Sequence, residues 1–188
     1  MPLPAELVAR AGAAGLTEKI PEGVARECDR LTGIASSRED VRPVVCPPLV
    51  PEGPARHVRA GLRPGPSRDV PRAVGWAIEA MSPSIGPAAE THGGHWRIES
   101  NSRAGHRHLG FRPTAAAIAG KTGLAGVPVR VYEMPPYPLG GVDGGHVVVE
   151  WSQAGTVLHA SVHGHRNRAL ARLMAAGLIQ RLRAAAKG

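Results

Sequence analysis

The stretch HVVVEWSQAGTVLHASVH, residues 146–163, constrains the fold more than any other. Its apolar residues recur at every second position on both sides of Ala154-Gly155, the period of half-buried strands rather than of a helix. In the first arm Val147, Val149 and Trp151 share one face and His146, Val148 and Glu150 the other; in the second, Leu158, Ala160 and Val162 oppose His159, Ser161 and His163. The two apolar faces have to coincide, because a slip of one residue would drive His159 and His163 into the core. A two-residue turn at Ala154-Gly155 then sets Trp151 against Leu158, Glu150 against His159 and His146 against His163. A four-residue turn keeps the faces and shifts the partners.

The tail NRALARLMAAGLIQRLRAAAKG follows this hairpin, with Leu170, Leu173, Met174, Leu178 and Leu182 in one stripe, Arg168, Arg172 and Arg183 largely off it, and Asn167 placed to cap the start. Hairpin plus amphipathic helix predicts an α+β fold, an antiparallel sheet of about four to six strands covered on one face by the C-terminal helix. Further strands are expected in RPVVC, ARHVRAGL, the alternating run from His95 to Glu99, and GVPVRVYEM. AVGWAIEAM, residues 73–81, spaces Val74, Ile78 and Met81 as a short helix would, stopped by Ser82-Pro83. Seven prolines between Pro47 and Pro71 exclude a long helix there. Residues 1–40 read as short helices, with Pro21 at a start and Gly33 at a stop, and form a helical N-terminal arm to the α+β domain of residues 41–188.

Composition narrows the chemistry. The core rests on Ala, Val, Leu and Ile, since three Trp, two Tyr and one Phe are the only aromatic residues. A net charge of +8 invites an anionic partner. Nearly all of the cations are Arg scattered from Arg10 to Arg183, without Lys/Arg runs interleaved with aromatics, so nucleic acid is not the expected partner; a protein, peptide or small-molecule ligand is. The basic side of the last helix, with Arg168, Arg172, Arg181 and Arg183, reads as its solvated face. No run of about 20 apolar residues offers a membrane span, and the opening residues show no secretory signal. Cys28 and Cys46 are compatible with one disulfide in an oxidising compartment or with two buried thiols in the cytoplasm.

Catalytic motifs fail on inspection. AGKTG at 119–123 lacks the first glycine of a phosphate loop, which would fall at Ala115; HGGH lacks helical His-Glu-x-x-His framing; no Gly-x-Ser-x-Gly elbow exists. The polar face of the hairpin is expected to be solvated, with Glu150 and His159 a surface pair worth under about 1 kcal/mol. The alternative is a zinc or copper site on His146, His159 and His163, completed from His165, from His92 and His95, or from His106 and His108; otherwise no cofactor is expected. Neighbouring histidines also make a pH-responsive face conceivable.

The succession CPPLVPEGP, strand, GVPVRVYEM, HVVVEWSQAGTVLHASVHG and NRALARLMAAGLI resembles uncharacterised actinobacterial proteins and, more distantly, domains of unknown function in exported bacterial lipoproteins and anti-sigma-type envelope proteins. The likeness runs over residues 41–182, through Pro47 to Gly53 and Trp151 to Gly155. It implies a non-enzymatic binding or sensing domain on the outer side of a membrane, with no catalytic residues to carry over. The absence of a visible signal departs from that pattern and leaves three readings open: a truncated start, another anchor, or a cytoplasmic member. If the chain is exported, a Cys28–Cys46 disulfide suits the resemblance.

Overall fold

The β-hairpin at residues 146–163 sits inside a larger sheet than the sequence suggests. The computed structural model describes residues 2–63, 74–82, 85, 94–101, 118–136, 144–153, 155–164 and 167–186. In chain order the elements are α1 (Ala5–Ala13), β1 (Leu16–Thr17), α2 (Glu22–Ser36), β2 (Val50–Pro51), β3 (Arg56–Arg63), β4 (Gly75–Met81), β5 (His95–Asn101), β6 (Ile118–Leu124), β7 (Val127–Glu133), β8 (His146–Gln153), β9 (Thr156–His163) and α3 (Arg168–Ala185). Strands β1 and β2 form a separate pair, and the other seven form one sheet in the order β3-β4-β5-β9-β8-β7-β6. Every pairing is antiparallel. Two meanders, β3–β5 and β6–β9, are thus joined where β9 returns beside β5. The fold is α+β, with α3 against β8 and β9.

The hairpin adopts the expected register. Trp151 faces Leu158, Glu150 faces His159, His146 faces His163, and Gln153 pairs with Thr156, which leaves a two-residue connection with Gly155 at φ +70°. Its apolar face lies on α3, where Ala171, Met174, Ala175 and Leu178 are buried against the sheet. Small residues let the helix approach closely: a Cβ at Gly177 would stand 3.0 Å from Leu49 Cδ1 and 3.2 Å from Pro48 Cγ. Leu170 and Leu182 pack at the edge of the same stripe. Asn167 does occupy the N-cap position of α3, but makes no side-chain cap. Its amide instead donates to the carbonyls of His163 (2.6 Å) and Ile85 (3.1 Å), tying the helix start to the end of β9.

Three expectations are corrected. Residues 75–81 form strand β4 rather than a helix: Trp76, Ile78 and Ala80 alternate into the core, and hydrogen bonding between β3 and β5 overrides the weak helical spacing. RPVVC is no strand, because Pro43 and Pro47 remove ladder donors at both ends. Val41 instead makes a single parallel bridge to Val74, and the Trp76 indole N–H donates to Pro43 O at 3.0 Å. The third is α2, which continues past Gly33 so that Ala35 joins Val24, Cys28 and Leu31 on its buried face. Ala11 of α1 and Val24 and Leu31 of α2 belong to the same core as the sheet.

Strand β6 was not expected at all. It contains Gly120 and Gly123 and reads weakly as a strand, yet Leu124 pairs with Val127 across a tight turn in which Ala125 and Gly126 both have positive φ. The AGKTG segment therefore lies in a strand, not in a phosphate-binding loop.

Candidate functional site

The sheet's second face carries the chemistry, in rows that cross the strands. In one row Arg130 of β7, Glu150 of β8, His159 of β9 and Glu99 of β5 stand directly opposite one another in turn. The next holds Tyr132, Val148, Ser161 and Arg97. A third, continuing the same registers, sets His146 opposite His163 and brings His95 to the other side of β9. Positive and negative side chains alternate along the first row, as directly facing cross-strand neighbours favour.

This face is not solvated. His146 and His159 are each 1% exposed, Ser161 2%, Glu150 6% and Glu99 8%. The expected surface pair is a buried ion-pair network instead. His159 Nε2 lies 3.0 Å from Glu150 Oε2, and its Nδ1 lies 3.3 Å from Glu99 Oε1, close enough for charge attraction but not aligned as a hydrogen bond. The Tyr132 hydroxyl donates to Glu150 Oε1 at 3.1 Å, Arg130 Nη1 approaches the same oxygen at 3.8 Å, and Arg97 Nε lies 3.5 Å from Glu99 Oε2. Burial by itself would strip the proton from His159; the hydrogen bond to Glu150 and the close carboxylate charges of Glu99 and Glu150 outweigh it and push the imidazole up to about 9. Burial, then the charge of Glu150, holds the Tyr132 phenol up at about 12. Paired in this way, the ions are tolerated where single charges would not be. Tyr132, Met134 and Val148 form a small second core among these polar groups, the signal in the sequence that the face is covered.

The histidines divide. His146 and His163 meet as the register requires, with ring centres 5.2 Å apart. His159 stands four residues further along its strand, about 13 Å away at strand rise, and its ring is committed to two carboxylates. His95, expected only as a loop ligand, lies on β5 with its ring 4.4 Å from His146 and 5.4 Å from His163. Neither ring nitrogen of His146 has a hydrogen-bond partner. Burial first, then the charges of His95, Arg97 and His163, pushes its pKa down to about 2, so its imidazole is neutral. His92, His106, His108 and His165 lie outside the described residues. Among the described residues, no group of three or more His, Cys, Asp or Glu side chains stands in an arrangement that could hold a metal ion as it is.

A second feature was not visible in the sequence. Between α1, α3 and the β6–β7 turn runs a groove of about 520 Å³, walled by Leu7, Leu124 and Leu173 with Arg10, Arg172 and Glu6 beside them. It depends on β6 and on the docking of α1, neither of which local periodicity reveals. The basic side of α3 is only partly free: Arg168 pairs with Glu133 and Arg183 donates to Ala125 O.

Cys28 and Cys46 are joined in a disulfide, with Cα atoms 5.8 Å apart. Among the described residues no helix is long and apolar enough to cross a membrane. Comparison with protein-family models, with curated proteins and with solved structures gives no match to this chain.

Proposed function

We propose that this protein is a non-enzymatic binding domain of an oxidising, envelope-type compartment, and that its groove between α1 and α3 takes a small amphiphilic anion. The observation that carries the reading is the pairing of apolar walls with two arginines, Arg10 and Arg172, for which no ion pair is formed among the described residues. Leu7, Leu124 and Leu173 would receive an apolar body, as small-ligand sites do. A carboxylate or phosphate head would complete the hydrogen bonding of the guanidinium groups, which bind such anions in a fixed fork. Among the described residues Glu6 is the one carboxylate lining the groove, and no histidine or nucleophilic side chain lines it, which supports binding rather than catalysis. The Cys28–Cys46 disulfide supports the compartment.

Titration of the disulfide-bonded protein with decanoate, and with decanol as the uncharged counterpart, tests the proposal. Saturable decanoate binding that weakens about tenfold in Arg172→Ala, as loss of a charge-assisted hydrogen bond predicts, and that falls with added salt is the expected result. Equal binding of decanol, no binding of either, or decanoate binding unchanged in Arg10→Ala and Arg172→Ala overturns it.

A further inference from the structure

We infer that His95, His146 and His163 form a transition-metal site for a borderline divalent cation such as zinc or copper, separate from the groove and without His159. Three strands deliver these side chains to one place by register alone. His146 faces His163 across β8 and β9, and the β5–β9 register carried one step beyond Trp96 and Val162 places His95 opposite His163. The ring centres form a triangle with sides of 4.4, 5.2 and 5.4 Å. Imidazoles whose nitrogens sit about 2.1 Å from a shared tetrahedral ion have ring centres about 5 Å apart. The ring-centre spacing is thus close to that of three ligands on one metal, but as placed the rings do not form a group that could hold one, with His95 and His163 stacked at 14° between planes, so binding requires them to turn.

A second observation points the same way. The His146 ring is buried with both nitrogens lacking a hydrogen-bond partner, a state that native proteins rarely leave unexplained. Turning that ring toward an ion breaks no hydrogen bond and satisfies one of the two orphaned atoms. His95 and His163 have further interactions, which coordination would exchange for the metal bond. Backbone geometry assists: Gly145 has φ +74°, and a Cβ there would meet His163 Nε2 at 3.1 Å, so a glycine at this place lets the ring lie against the start of β8. Imidazole ligands without a carboxylate suit Zn²⁺ or Cu²⁺ rather than Ca²⁺ or Mg²⁺.

The test uses full-length, chelator-stripped, disulfide-bonded protein without a polyhistidine tag, titrated calorimetrically with ZnCl₂ and followed by electron paramagnetic resonance with CuCl₂. One equivalent is expected to bind at micromolar affinity or tighter, with nitrogen hyperfine splitting from three imidazoles. His95→Gln and His163→Gln should each weaken zinc more than about tenfold, and exposed His57→Gln should leave it unchanged. Should either ligand variant fail to fold, the copper spectrum of the wild-type protein still decides, since fewer than three imidazole nitrogens contradicts the site. Binding weaker than micromolar, or binding retained in folded His95→Gln and His163→Gln, overturns the inference. Arg10→Ala and Arg172→Ala should not alter metal binding, which keeps this outcome distinct from that of the groove.

Discussion

His159 shows how one side chain can hold a sheet together and make it sensitive to pH. Its pKa rises from an ordinary value of 6.5 to about 9 because the hydrogen bond to Glu150 and the charges of Glu99 and Glu150 overcome burial. The folded state holds this proton more tightly than the unfolded chain does, so the stabilisation is whole below about pH 6.5 and is lost as pH rises through about 9. Urea unfolding should show a loss on the order of 3 kcal/mol between pH 6 and pH 9.5. In His159→Gln, which has no imidazole to titrate, that alkaline slope should flatten while stability at pH 6 drops, because Glu99 and Glu150 lose the cation between them. The direction in which His159 and Glu150 point was legible in the sequence, because a period of two allows one partition of faces. Their burial was not: alternation marks two faces without saying whether the second is covered. Tyr132, Met134 and Val148 on that face would have been the clue.

At the scale of elements, those with strong periodicity and clear boundaries were legible, among them β8, β9, α3, β7 and β5. Strands β4 and β6 were not, for opposite reasons. Val74, Ile78 and Met81 fit helical spacing while Trp76, Ile78 and Ala80 fit extended spacing, and pairing with β3 and β5 decides between them. Gly120, Lys121 and Gly123 satisfy neither, and β6 exists because the Ala125-Gly126 turn folds it back on β7. The groove was hidden with it, since one of its walls is that turn. The packing of α3 makes a specific demand at Gly177, where a methyl group would press on Leu49 and Pro48. Gly177→Ala gains helix propensity of somewhat under about 1 kcal/mol but overpacks a filled core at about 1–3 kcal/mol. We expect net destabilisation and a lower Tm, measured by circular dichroism; a stabilised variant would show that Leu49 yields freely.

For the whole molecule, the Cys28–Cys46 link fastens α2 to the proline-rich segment that leads into β2 and on beneath α3. A separation of 18 residues closes a short loop, for which chain entropy predicts about 3 kcal/mol of stabilisation. The double variant Cys28→Ser/Cys46→Ser should therefore unfold at lower urea concentration by that order, and reduction of the wild-type protein should reproduce the shift. An unchanged midpoint would mean that the core of α1, α2 and the sheet holds the segment by itself. The joining of the two meanders through β5 and β9 also sets the order in which the protein can be made. The strand that completes β3–β5 is synthesised about sixty residues after β5, so the nascent chain carries an open hydrogen-bonding edge until its final strand emerges, and such long-range closure is slow. During that interval the unfinished half-sheet is a target for chaperones and for pairing with other chains, and only β9 removes it.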